Sequence, residues 1–248
     1  MTQTLAHIIR HPIKGHGREE MGHVALTAGA CLPFDRHWAV AHEAAKLTGG
    51  WVPCANFARG AKALSLMAVT STLDVENRSV TLHHPVAGHL TFQPDDPADL
   101  PRFLAWVAPL APEGRAQPAQ IVTVGRGMTD STFPSVAVLS LTTLRDLSGR
   151  MGQDLSIHRW RGNLWLAGVP LRAEESWAGC VIRIGGAVLQ VQERITRCRA
   201  TSADPDTGMM AGDTLAALHS AYGHQDFGVY ATVLEGGLVT TGDDWVLQ

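Results

Sequence analysis

A chain of 248 residues with 45% apolar and 17% charged side chains can bury one large core or two small ones, which excludes a disordered polypeptide. Twenty basic and twenty-three acidic residues leave a net charge of −3, so no general field collects nucleic acid or an anionic bilayer. Any anion this chain binds must be met by a local site. Among its basic residues only Lys14, Lys46 and Lys62 are lysines; the other seventeen are arginines, suited to fixed bidentate contacts with phosphate or carboxylate.

No apolar run approaches the ~18 residues that cross a bilayer. Arg10 and Lys14 fall where a secretory leader would need an apolar core, so the expected location is cytoplasmic, without a membrane partner. The cysteines, Cys31, Cys54, Cys180 and Cys198, form no C-x-x-C pair. This argues against a zinc ribbon or iron–sulfur cluster and predicts free thiols.

Residues 4–9, 23–26, 37–42, 64–70, 79–83 and 89–92 read as short strands broken by turns. The stretch 97–110 follows as a helix, with Leu100, Phe103, Leu104 and Val107 on one face and Asp99 as its cap before Pro101. The small, polar segment 111–120, with Pro112 and Pro118, marks a boundary near residue 115. Beyond it, residues 136–139 form an apolar strand running into a helix with Leu141, Leu144, Leu147 and Met151 at helical spacing, capped by Ser140 or Thr142. Residues 180–184 and 188–193 flank Gly185-Gly186 as a hairpin. Asp213 caps a helix that ends before Gly223, and strands at 227–234 and 238–240 complete a mainly β chain with a few helices, an α+β class.

The segment 193–208, ERITRCRATSADPDTG, concentrates the chemistry: Arg194, Arg197 and Arg199 surround Cys198. Guanidinium groups beside a thiol favour the thiolate, which is both nucleophile and soft metal ligand. On a strand, residues 197 and 199 face away from 198, so spacing alone leaves an inert buried thiol open as an alternative. Asp204, Pro205, Asp206, Thr207 and Gly208 read as a turn.

The run RCRATSADPDTG resembles the signature of the MOSC domain, named for the C-terminal part of molybdenum cofactor sulfurases. RWRGNL at 159–164, the segment 135–144 and FGVYATVLEGGLVTTGD at 227–243 are similar to further family segments in the same order, and HPIKG at 11–15 and FDRHWAV at 34–40 resemble the β-barrel domain preceding MOSC in many members. The resemblance implies a β-barrel-like N-terminal domain over residues 1–110 and a MOSC β-barrel domain over 115–248.

From the amidoxime-reducing branch it further implies a molybdenum–molybdopterin cofactor with Cys198 as the protein ligand to the metal. Lys14, Arg36, Ser140, Thr142, Arg159, Arg161, Asn163, Arg197 and Thr201 would be cofactor contacts. Asp204 would be a proton relay or, with the larger share, a structural residue of its loop. Cys31, Cys54 and Cys180 match no motif and are read as core. The segment 49–60 departs from the family's usual threonine-x-arginine-glutamine-x-proline stretch, so Arg59 receives no role.

The implied activity is reduction of N-oxygenated small molecules with electrons from a separate ferredoxin- or flavoprotein-type donor. The alternative is a carrier of sulfur, as a Cys198 persulfide, or of the cofactor itself. A cysteine hydrolase or zinc site using His158, His219 or His224 with Cys198 has no supporting motif.

Overall fold

Short strands are the most frequent elements in the computed structural model, which describes residues 2–248. In chain order they are β1 (Thr4–Arg10), β2 (Ile13–Lys14), β3 (Glu19–Met21), β4 (His23–Leu26), β5 (Trp38–His42), β6 (Thr70–Asp74), β7 (Ser79–His84) and β8 (Gly88–Phe92). Helix α1 (Leu100–Val107) and β9 (Pro118–Val122) follow, then β10 (Val136–Ser140), α2 (Leu141–Met151), β11 (Leu164–Ala167), β12 (Val181–Ile184) and β13 (Ala187–Thr196). The last elements are α3 (Thr214–Tyr222), β14 (Asp226–Glu235), β15 (Gly237–Thr240) and β16 (Trp245–Leu247). This is the expected mainly β, α+β class.

The largest sheet has the order β16-β12-β13-β14-β10-β11-β1-β3. Strand β10 lies parallel to β11 and antiparallel to β14, buried at every position. Side chains alternate across a strand, so Val136 and Val138 join one core with Leu164, Leu166, Leu189 and Val229. Ala137 and Leu139 join the opposite core, where Leu144 and Leu147 of α2 and Leu218 of α3 cover the sheet. A strand covered on both faces reads as a continuous apolar run, as residues 136–139 do. Thr4 bridges Asp244, and the Gly242 amide donates to the Leu5 carbonyl at 2.8 Å, so the sheet curls until its flanks meet. That seam is a bridge rather than a paired ladder, and the expected barrel is not closed.

Strands β1 and β3 belong to this sheet, with Leu5 and Ile8 in its first core. Strands from the expected unit 1–110 therefore lie in the sheet of 115–248. Strand β4 pairs with β15 of the second half, and the remaining first-half strands form, with β9, two three-stranded sheets, β2-β5-β9 and β6-β7-β8, around a third core holding Trp38, Leu82, Phe92 and Phe103. Residues 64–70 are not one strand: Leu64–Ala68 is a 3-10 helix and the strand begins at Thr70. Leu66, Met67 and Ala68 are buried consecutively, which an alternating strand with one covered face cannot achieve, whereas Ser71 and Leu73 alternate with exposed neighbours. Asp99 precedes α1 without capping it through its side chain; its carboxylate instead accepts from the Gln93 amide at 2.8 Å.

Candidate functional site

The junction from β10 into α2 is built as its sequence predicts. Ser140 accepts from the Thr143 amide at 3.2 Å, a cap that stabilises a helix by ~1 kcal/mol, and Gly152 ends the helix in the left-handed region. Downstream, residues 157–160 make a 3-10 turn, and Arg161 leaves it with φ of 49°. Gly162 follows because a Cβ there would stand 2.3 Å from Leu139 Cδ1. This presses Arg159, Trp160 and Arg161 toward the first-half loop at residues 14–17, where Gly15 passes so close to Ala58 that a Cβ would lie 2.5 Å from its carbonyl oxygen.

Between these segments lies a cavity of about 250 Å³. Six basic residues line it, Lys14, Arg36, Arg59, Arg159, Arg161 and Arg197, against one acidic residue, Asp130. Cys198, exposed and in extended backbone just ahead of a 3-10 turn, lies on the same wall with Thr201. Seven sequence-predicted residues thus converge: Lys14, Arg36, Arg159, Arg161, Arg197, Cys198 and Thr201.

Their donors are unequally committed. Lys14 Nζ donates to the Met128 carbonyl and to Asp130, both at 2.6 Å. Burial lowers its pKa against the pull of Asp130. Arg36 donates through Nη1 to Asp35 and through Nη2 to the Arg161 carbonyl at 2.8 Å. Burial opposes its charge, but Asp35 and Asp130 more than offset this and raise its pKa. Arg197 donates Nη1 to the Trp160 carbonyl at 2.8 Å and Nε, with Nη2, to the Phe227 carbonyl. Burial brings it down to about 10.

Arg161 gives only Nη1, to the Gly17 carbonyl at 3.2 Å, and Arg159 gives Nη1 to the Ala211 carbonyl at 2.9 Å. Arg161 Nη2 and Arg159 Nε are buried without a partner. Burial, then Arg36, pulls Arg161 down to about 9. Buried donors left unpaired are costly, and a cavity with surplus cations and two such donors matches an anionic ligand rather than a neutral one.

Other expected contacts lie elsewhere. Asn163 lies outside the cavity lining, its side chain holding the Ala137 amide at 3.0 Å and the Ile9 carbonyl at 3.1 Å, across three strands' worth of backbone. Neither Ser140 nor Thr142 lines the cavity. Asp204 closes its own turn, accepting from the Asp206 and Thr207 amides at 2.8 and 3.0 Å, also outside the lining. No histidine lines the cavity beside Cys198. Among the described residues, no group of three or more His, Cys, Asp or Glu could hold a metal ion on its own.

Four titratable lining residues carry no cofactor role in the sequence reading: Asp130, Tyr230, Arg59 and Cys54. Cys54 is a correction to its reading as core, since it is half-buried on the cavity wall with Arg59 Nη1 at 2.6 Å from its sulfur. Tyr230 lies within a segment similar to the family's closing strands, which was the available signal for it; Asp130 sits in a Gly/Ser/Thr loop with no motif.

Residues 131–246 match the family model described as the MOSC domain. The chain carries a MOSC domain in its second half, joined through one sheet to its N-terminal strands. Its matches include mitochondrial amidoxime-reducing component 1 of Homo sapiens, 30% identical over 43% of this chain and 34% of that protein. The Mus musculus protein of the same name is 36% identical over 29% of this chain and 21% of the relative. The matched regions thus span about a third or less of these relatives. Among solved structures, the YuaD protein of Bacillus subtilis is 13% identical with a TM-score of 0.48, covering 100% of this chain and 96% of that one. YiiM from Geobacillus stearothermophilus is 19% identical with a TM-score of 0.35, covering 46% and 53%. No helix among the described residues is long and apolar enough to cross a membrane.

Proposed function

We propose that this protein binds a molybdenum–molybdopterin cofactor in the Arg-lined cavity and reduces N-oxygenated small molecules with electrons from a separate ferredoxin- or flavoprotein-type donor. The observation that carries the reading is the exposed Cys198 thiol on the wall of a cavity with six basic residues, one carboxylate and two buried guanidinium donors without partners. The MOSC match and the names of the relatives support the same class.

The donor set fits this group. A single thiolate suits a metal whose remaining ligands arrive with its organic cofactor, and Cys198 would be that ligand. The unpaired Nη2 of Arg161 and Nε of Arg159 would hold the pterin's terminal phosphate. Lys14 and Arg36, set by Asp130 and Asp35, would supply fixed positive charge that needs no reorganisation as the site's charge changes. Arg197 and Thr201 would act indirectly: Arg197 clasps the backbone of Trp160 and Phe227, and Thr201 Oγ1 donates to the Cys198 carbonyl at 3.1 Å. Asn163 and Ser140 would serve the same wall as backbone fasteners, and Asp204 as the latch of its turn. When bound, the cofactor supplies a two-electron centre able to accept oxygen from an N–O bond.

The test is expression in a host that makes the cofactor, with elemental analysis, pterin fluorescence and reduction of an aromatic amidoxime by a chemical electron donor. About one molybdenum per chain is expected in the wild type, with loss of metal and turnover in Cys198→Ser. Wild-type protein without molybdenum or pterin would overturn the cofactor assignment. Loaded but inert protein, or a Cys198 peptide heavier by one sulfur, would favour the carrier function instead.

A further inference from the structure

A second cavity, of about 200 Å³, opens between β5, the loop at residues 55–66 and the segment joining α1 to β9. Phe57, Ala63, Leu66 and Val107, all nearly inaccessible to water, contribute its apolar surface, with Ala58, Ala111, Pro112, Ala116 and Pro118 alongside. Its charged lining has one sign: Arg59, Lys62 and Arg115 are present, with His42 beside them, and no Asp or Glu among the described residues lines it. Among the described residues, neither Lys62 nor Arg115 has a carboxylate within ion-pair distance. His42 Nε2 bonds the Ala55 carbonyl at 2.7 Å, while its Nδ1 is buried without a partner. Glu43, next in the chain, is engaged elsewhere by the Gln117 amide at 3.3 Å.

A concave apolar surface bordered by cations without counter-ions is complementary to a molecule that is apolar over most of its body and anionic at one end. A neutral apolar ligand would leave the basic groups unused. A highly charged one, such as a nucleotide, would bury polar surface against Phe57, Leu66 and Val107. A cationic ligand would meet like charge.

We propose that this cavity is a binding site for a small organic monoanion with a compact apolar body, of the aliphatic carboxylate class, held on Phe57, Leu66 and Val107 with its acid group toward Lys62 and Arg115. The site stands apart from the cofactor reading: Arg59 is the one residue lining both cavities, and ligand binding here needs neither metal nor pterin.

Calorimetric titration with octanoate, octan-1-ol and octylammonium tests it directly. Octanoate binds at least ~10-fold more tightly than either matched ligand, since two partly exposed charge contacts together are worth about that factor. Lys62→Gln/Arg115→Gln removes the preference, while Ala111→Trp, which puts a bulky side chain on the cavity lining, removes binding of all three. A second double variant outside the cavity lining, Arg183→Gln/Arg194→Gln, leaves octanoate affinity unchanged. Equal affinity for octanoate and octylammonium, octanoate binding unaffected by Lys62→Gln/Arg115→Gln, or no octanoate binding at millimolar concentration overturns the proposal. Because the titration is run on protein with and without molybdenum, its failure is distinguishable from failure of the cofactor assignment.

Discussion

Arg36 donates its Nη2 to the carbonyl of Arg161 at 2.8 Å, and both residues hold left-handed backbone, with φ of 51° and 49°. Two arginines are thereby kept side by side despite like charge, because Asp35 neutralises the first and the second is bound through its main chain. Their replacement should separate support from ligand binding. Arg36→Ala leaves Asp35 buried without its principal counter-charge and is expected to destabilise the fold by about 3 kcal/mol. Arg161→Gln loses one 3.2 Å bond and an unpaired donor, so its cost is expected below about 1 kcal/mol while retained pterin falls at least ~10-fold. Denaturant unfolding and pterin fluorescence on the same preparations check both halves.

Asp35 is buried and accepts from the His11 amide at 2.8 Å, from the His11 ring and from Arg36. Burial would raise its pKa, but Arg36 and His11 outweigh this and hold it well below the ordinary carboxylate range. A depressed carboxyl contributes stability in full above its unfolded value, near 4, and loses it as pH falls toward the folded value. Asp35→Asn is therefore expected to be about 2 kcal/mol less stable than wild type at pH 7. Its stability should also fall less steeply between about pH 4 and pH 2, measured by urea midpoints across that window.

The elements most readable in the sequence are those whose signals are local. The apolar run ending at Ser140, the Gly185-Gly186 hairpin and the Asp213-to-Gly223 helix need only near neighbours, and each stands in the fold with its cap or turn. Pairing of β1 with β11 joins residues more than 150 positions apart, and nothing near Leu5 or Leu166 announces it. The cavity arginines other than Arg59 were recognisable as a set through motif resemblance. Which donors were spare was not, because the carbonyls of Trp160, Phe227 and Gly17 that consume the others are delivered by tertiary structure. Asn163 illustrates the reverse error: its amide suits a phosphate, yet it is taken up by Ala137 and Ile9.

Glu174 predicts a second pH effect, of opposite sign to that of Asp35. It is 2% exposed, and the Thr143 hydroxyl, its own backbone amide and Arg172 only partly offset the burial of its carboxylate. Burial pushes its pKa up from 4.5 to about 7. The folded chain thus holds a proton that the unfolded chain has released, so stability declines as pH rises from about 4.5 to about 7 and the loss is complete above that. The shift corresponds to a loss on the order of 3 kcal/mol. Glu174→Gln, which stays neutral, is expected to abolish this decline and to exceed wild-type stability at pH 8. Thermal or urea unfolding of both proteins at pH 5 and pH 8 checks it; parallel pH profiles would refute it.

Arg197 provides the sharpest separation between a cofactor ligand and a scaffold residue. Its guanidinium sits 5.7 Å from the Trp160 ring centre and 5.8 Å from that of Phe227, while the same two residues' carbonyls take its donors. A lysine keeps the charge but lacks the planar fork that spans both carbonyls and stacks on both rings. Arg197→Lys is accordingly expected to lower stability by about 2 kcal/mol. Because Cys198 is the next residue, its rate of reaction with a bulky thiol reagent should change several-fold in the cofactor-free protein. An Arg197→Lys protein as stable as wild type, with unchanged thiol reactivity but less bound pterin, would instead make Arg197 a direct contact of the cofactor.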